Sequence, residues 1–423
     1  MAIKLAQTPP MGWNSWDCYG ASVREDEVRA NADYIAKNLK QYGWEYVVVD
    51  IQWYEPNAKS DQYNPHAPLV MDDYSRLMPA VNRFPSAAEG QGFKPLGDYI
   101  HSLGLKFGIH ILRGIPRQAV AQNTKILGTD YTAADIADTS STCDWNTDMY
   151  GVDPSKPGAQ EYYNSIFQLY AEWGVDYVKV DDISRPYRKD EIELIRSAID
   201  NSGRPMVLSL SPGPTPVAEG EHVSKHANLW RMTDDFWDRW DLLYGMFERA
   251  DAWSDYIGPG HWPDADMLPL GRIGIRSAWG DRYTRFSREE QITLMTLWAM
   301  MRSPLMFGGD LRYNDEWTTS LLTNEEVLKI TNCSHSNRQL YRRDDIAAWT
   351  ALGEEGEIYL AHFNLTDQAA DISTDLSQLD LAGTYVVRDL WAREDLKTAA
   401  TEVVTRNVPA HGAVLMRLTK ANS

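Results

Sequence analysis

Acidic residues recur at the ends of short apolar runs in this chain. Tyr46-Val47-Val48-Val49 leads into Asp50, and Tyr177-Val178-Lys179-Val180 leads into Asp181-Asp182. A run beginning at Asn228 passes through Trp230-Arg231 to Asp235, and Trp262-Pro263 opens onto Asp264 and Asp266. A carboxylate at the carboxyl end of a buried strand is costly to place. In barrels and open α/β sheets that end is where chemistry sits. Two such acids can cleave a glycosidic bond, one attacking and the other protonating the leaving oxygen. The same acids could hold Mg²⁺ or Mn²⁺ in a lyase or isomerase. Lys179 and Arg231 weigh against that, because cations beside the acids compete with a metal. They suit hydrogen bonds to hydroxyls, and they keep a neighbouring carboxylate ionised. The plain alternative for one pair is that Asp182 caps a helix and Asp181 opens a loop.

The elements that must position these acids follow from periodicity. Met11–Trp16 reads as a first strand after Pro9-Pro10. Ser22 reads as an N-cap with Glu25 completing a capping box, before a helix with Val28, Ala32, Ile35 and Leu39 on one face. Strands follow at 46–53, 106–111, 176–182 and 205–211, then at 228–235, 262–268 and 304–307. Helices are expected at 95–103, 159–173, 190–201 and 242–250. Residues 54–92 and 113–155 read as long excursions. This alternation indicates parallel βαβ units. Eight of them over about 300 residues argue for an α/β fold of the closed (β/α)8 TIM barrel type. Both excursions follow strands, so they share the rim that carries the acids. The pattern changes near residue 335. Short strands at 346–350, 358–363, 384–387, 402–404 and 414–416 predict a C-terminal antiparallel β-sandwich. The expected domains are therefore 1–335, the catalytic barrel, and 336–423, the sandwich.

Composition narrows the partners. With 423 residues and a formal charge of −19, nucleic acid and anionic membrane surfaces are disfavoured. No apolar run is long enough to span a bilayer. Sixteen Trp and 22 Tyr suit stacking on the apolar faces of sugars as well as a large core. Cys18, Cys143 and Cys333 are too scattered for a disulfide framework or a clustered metal site. The first ten residues do not read as a signal peptide. These features together predict a reducing, cytoplasmic setting, and the aromatics and the second domain make a homo-oligomer plausible.

Four stretches taken together resemble the α-galactosidase family of retaining glycosidases, glycoside hydrolase family 27. They are Pro10-Met11-Gly12-Trp13-Asn14-Ser15-Trp16, Tyr177-Val178-Lys179-Val180-Asp181, Trp230-Arg231 with Asp235, and Trp262-Pro263-Asp264-Ala265-Asp266-Met267-Leu268. The resemblance runs in order from about residue 8 to the C-terminus. It implies a barrel followed by a β-sandwich, a small-molecule glycoside as substrate, and no cofactor or metal. It implies Asp181 as nucleophile and Asp235 as general acid/base. Lys179 and Arg231 would hold sugar hydroxyls, Trp16 would wall the pocket, and Asp50 would bind the far edge of the sugar. Asp266 is left a supporting role. Asp234 and Asp238 lie close to Asp235, and alignment alone picks between them. The two carboxyls are expected roughly 5–5.5 Å apart, with Lys179 holding Asp181 ionised.

The chain departs from the family at Ile51, where a second far-edge carboxylate would accept a hydrogen bond from the hydroxymethyl group of galactose. β-L-Arabinopyranose is galactose without that group, so a β-L-arabinopyranosidase is favoured over an α-galactosidase. The competing reading turns Ile51 outward and gives its contact to Gln52. Ser211 replaces a larger polar residue and leaves α-N-acetylgalactosaminidase open. His110 replaces a tyrosine and is either a substrate contact or a satisfied rim histidine. The family's disulfide partner for Cys143 is Ile183 here. A sugar-binding protein without activity on the same scaffold is the rival from another class.

Overall fold

The computed structural model describes residues 5–421. Residues 1–4, part of the segment expected not to be a leader, lie outside the described residues. Eight parallel strands make up one sheet: β1 Met11–Asn14, β2 Tyr46–Val49, β3 Lys106–Leu112, β4 Tyr177–Asp181, β5 Val207–Leu210, β6 Leu229–Arg231, β7 Trp262–Asp264 and β8 Leu305–Phe307. They pair in sequence from β1 to β7, and β8 pairs with β1. The sheet closes through a parallel bridge between Leu268 and Phe307, where the Leu268 N–H donates to Met306 O at 2.7 Å.

Alternation along each strand sorts the residues. In β4, Val178 and Val180 pack outward into the large core under the helices, while Tyr177 joins an inner cluster with Tyr46, Val48, Val207, Leu229 and Met306. Lys179 and Asp181 share the parity of Tyr177, so they stand above it inside the barrel. Register fixes their height. Gly108 pairs with Tyr177, His110 with Lys179 and Leu112 with Asp181, while Lys179 also pairs with Ser209. The barrel floor is thus apolar, and the charged layers lie above it toward the carboxyl ends of the strands.

Several boundaries differ from expectation. The strand after Asn228 stops at Arg231, so Asp235 lies on a loop four residues beyond it. β1 ends at Asn14, and Trp16 opens a short helix, Trp16–Tyr19. The helix expected to be capped by Ser22 runs Glu25–Tyr34, with Arg24 at the cap position and Glu27 accepting its N–H at 2.9 Å. Ser22 Oγ instead donates to Tyr19 O within a 3-10 turn. The excursion at 113–155 holds a three-stranded sheet of Ile115–Pro116, Ala137–Thr142 and Met149–Val152. After Ser334 come a six-stranded antiparallel sheet and a two-stranded partner. Ser334–Arg343 of the first and Ala370–Asp375 of the second were hidden in the sequence by their mixed polarity.

Candidate active site

The strand ends and the rim loops enclose a cavity of about 390 Å³. Its wall includes Trp16, Asp50, Ile51, Lys179, Asp181, Arg231 and Asp235, seven of the nine residues singled out from sequence. The other two lie behind the wall. His110 is fully buried and Ser211 is 1% exposed; Pro212 presents to the cavity in place of Ser211. The small side chain of Ser211 therefore opens no space for a substituent at the cavity surface. His110 occupies the layer below Asp181, where its Nε2 bonds Asp181 Oδ2 at 2.9 Å. It acts on the site through that carboxylate.

Asp181 is nearly buried and held from two sides, because the Asp182 N–H donates to Oδ1 at 2.9 Å. Burial alone would raise its pKa. The His110 bond, the charges of His110 and Lys179, and the Asp182 N–H overcome burial and hold the carboxyl well below the usual range. Lys179 was expected to hold Asp181 ionised, and its charge contributes to that, although its Nζ bonds Asp50 Oδ2 at 2.9 Å, where Asn14 Nδ2 reaches the same oxygen at 2.7 Å. The layering explains this, since Lys179 lies below Asp181. Against burial, Lys179, His110 and Asn14 lower the pKa of Asp50 and keep it ionised.

On the opposite wall Arg231 serves two acids. Its Nη2 lies 3.0 Å from Asp235 Oδ1 and 2.9 Å from Asp266 Oδ2. The Asp235 side chain is 55% exposed and Asp266 only 9%. Burial pushes the Asp266 carboxyl above the usual carboxylate range even with Arg231 beside it. Asp266 has a left-handed backbone, φ 77°, and also accepts the Phe236 N–H at 2.7 Å. It braces the loop that carries Asp235. Of the neighbouring acids, Asp234 lines the outer cavity and pairs with Arg185 at 2.7 Å, whereas Asp238 is buried against Arg282.

Ile51 faces the cavity and is 2% exposed. Gln52 does not take over its place. It is fully buried, and its amide donates to Asp148 Oδ2.

Sequence reasoning missed several wall residues. Tyr63 stacks on Trp16 with centroids 6.2 Å apart and meets Trp145 at 5.6 Å. These two rings come from the two excursions, whose shared rim was legible although the contributing residues were not. Trp237 and Trp279 meet edge-on at 4.9 Å at the mouth. Asp17 is buried in the wall, and burial, followed by the charges of Asp266 and Asp235, raises its pKa well above the ordinary value. A neutral carboxyl there can donate a hydrogen bond to a sugar hydroxyl. Its adjacency to Trp16 was the available signal.

Known proteins resemble this chain in both of its parts. Residues 150–333 match the family described as alpha galactosidase A, and residues 343–418 match the alpha galactosidase C-terminal beta sandwich domain. A crystal structure of a family-27 β-L-arabinopyranosidase from Geobacillus stearothermophilus, in complex with arabinose, is 61% identical. It covers 99% of this chain and 98% of its own, with a TM-score of 0.97. The chain belongs to glycoside hydrolase family 27. A Bacillus halodurans protein described as a candidate α-N-acetylgalactosaminidase is 56% identical, with a TM-score of 0.90 and 99% of each chain covered. The α-galactosidase of Cyamopsis tetragonoloba is 27% identical over 98% of this chain and 87% of its own. This family member is accordingly a glycosidase. Among the described residues no helix is long and apolar enough to cross a membrane.

Proposed function

We propose that this glycosidase is a retaining exo-enzyme that removes terminal β-L-arabinopyranosyl residues, with α-D-galactopyranosides as slower substrates. The observation that carries the sugar choice is Ile51, an apolar side chain on the cavity wall beside the ionised Asp50. A hydroxymethyl group directed there loses its water and finds no acceptor, at about 1–3 kcal/mol. A sugar lacking that group meets only a matching apolar surface. The arabinose complex of the 61% identical relative supports the same reading.

Asp181 is the nucleophile and Asp235 the general acid/base. The ionised Asp181 carboxylate attacks the anomeric carbon while the Asp235 proton passes to the departing oxygen. The bond from carbon to aglycone breaks as the bond to Asp181 forms. Asp235, now a carboxylate, takes a proton from water. That water attacks the same carbon, and the Asp181 oxygen leaves as the carboxylate. Two inversions give net retention. Lys179 and Asp50 grip hydroxyls at the far edge, Trp16 stacks on the ring, and Arg231 keeps Asp235 aimed. A cytoplasmic setting fits the three free cysteines.

The test compares kcat/KM for aryl β-L-arabinopyranoside and aryl α-D-galactopyranoside, with NMR following the first sugar released. The expected result is a preference for the arabinoside and initial release of the β anomer. Equal or galactoside-favouring values overturn the sugar assignment, and the opposite anomer overturns the double displacement.

A further inference from the structure

Away from the barrel mouth, one cluster of metal-ligating side chains plays no part in glycoside chemistry. His222 and His226 stand four residues apart on helix Gly220–His226, so both imidazoles leave the same face. Their rings stack with centroids 4.1 Å apart. Glu193, from helix Lys189–Asn201, joins them, and one ligand atom from each of the three lies within 4.8 Å of the others.

The hydrogen bonds orient the rings. His226 Nδ1 lies 2.8 Å from the His222 carbonyl oxygen. A carbonyl only accepts, so Nδ1 carries the proton and Nε2 keeps its lone pair. His222 Nδ1 lies 2.6 Å from the Tyr187 hydroxyl, and its Nε2 lies 3.1 Å from Glu193 Oε1. Tyr187 can donate or accept. If the His222 proton sits on Nδ1 and is donated to Tyr187, Nε2 is released, and Glu193 turns from hydrogen-bond acceptor to ligand. An imidazole whose far nitrogen is engaged by a hydroxyl or carbonyl is the usual arrangement around a bound metal.

We propose that His222, His226 and Glu193 form a binding site for a divalent transition-metal ion of the Zn²⁺ class, with water completing the coordination. Two imidazoles and one carboxylate are the donors such an ion selects. Ligands on one tetrahedral Zn²⁺ sit about 3.3 Å apart. His222 Nε2 and Glu193 Oε1 are already 3.1 Å apart, and the half-exposed Glu193 is free to turn as the ion draws the three donors together. The ion would tie two helices to Tyr187. Tyr187 lies on the loop after β4 that also carries Arg185 at the cavity mouth. The role is structural, since no ligand reaches the sugar site.

The full-length protein, stripped with a chelator and desalted, is titrated with ZnCl₂ by calorimetry and melted with and without the ion. The expected result is one saturable Zn²⁺ per chain and a higher Tm. His226→Ala should weaken binding about 100-fold and Tyr187→Phe about tenfold, with arylglycosidase activity retained in His226→Ala. Absence of saturable binding overturns the proposal. Binding and a Tm rise that persist unchanged in His226→Ala also overturn it, because the ion then sits elsewhere among the surface acids. If His226→Ala does not fold, Co²⁺ bound to the unaltered protein decides. Intense visible bands of a four-coordinate ion support the site, and the weak spectrum of the hydrated ion refutes it.

Discussion

Replacing Ile51 by Asp restores the acceptor that a galactose hydroxymethyl group needs. Three quantities set the outcome. A hydrogen bond to a charged acceptor contributes about 1.5–3 kcal/mol. Removing the branched side chain strips apolar contact from the arabinoside, at about 0.8 kcal/mol for each methylene uncovered. Opposing both is the cost of a second carboxylate beside Asp50, whose charge already rests on Lys179 and Asn14. That cost falls on both sugars and cancels in their ratio. The ratio of kcat/KM, galactoside over arabinoside, should therefore rise about 10–100-fold, at about 1.4 kcal/mol per decade. Absolute rates on both sugars can fall. The assay is steady-state hydrolysis of the two matched aryl glycosides. Ile51→Ala supplies space without an acceptor and separates crowding from hydrogen bonding. Ile51→Asn supplies an acceptor without the charge. An unchanged ratio in both Ile51→Asp and Ile51→Asn would falsify the assignment of Ile51 as the sugar discriminator.

His110→Phe removes the bond that opposes burial at Asp181. The nucleophile works only when ionised, so activity is lost as pH falls through its pKa. Raising that pKa moves the acid limb of kcat/KM to higher pH, and an unmoved limb refutes the link. Asp235→Ala should lower kcat/KM for glycosides with poor leaving groups about 10²–10⁴-fold while sparing kcat/KM for activated aryl glycosides; equal losses on both refute its role as acid. Trp279→Ala should raise KM about 3–10-fold for long aglycones and leave a phenyl glycoside unchanged, as read by parallel kinetics. Asp182 offers a stability test. Burial raises its carboxyl to about 6, above about 3.9 in the unfolded chain. Its contribution is therefore complete below about pH 4 and lost as pH rises through about 6. Urea unfolding should show Asp182→Asn gaining about 2–3 kcal/mol on the unaltered protein between pH 4 and 8, and parallel pH curves refute this.

What was legible in the sequence was local. Tyr177-Val178-Lys179-Val180-Asp181 announces a strand, and its alternation already places Lys179 and Asp181 on one face. The partners of those side chains were not legible. Whether His110 touches sugar or carboxylate depends on its register with β4, and their contact spans 71 residues of sequence. The choice between Lys179–Asp181 and Lys179–Asp50 turns on one layer of height inside a closed barrel. The loop position of Asp235 was hidden for a related reason, because Met232-Thr233 extends the apolar, β-branched pattern of β6 beyond the last paired residue. Tyr63 and Trp145 sit in stretches without periodicity, and only the folding of two excursions onto one rim brings them together.

The contrast between the two acids fits the roles proposed for them. A nucleophile must meet one carbon at one angle, and Asp181 is correspondingly fixed by a buried histidine and a backbone N–H on a barrel strand. A general acid must follow a leaving oxygen whose position varies with the aglycone. Asp235 sits on a loop, more than half exposed, with Arg231 as its side-chain partner. Arg231 also holds the buried Asp266, so the guanidinium stays in place when Asp235 swings or is neutralised. If Asp266 were lost, Arg231 would lose its buried anchor and the Phe236 N–H its acceptor, so the loop would no longer hold Asp235 toward the leaving oxygen. Asp266→Asn should therefore lower kcat most on poor leaving groups, the same substrates that expose the loss of Asp235 itself.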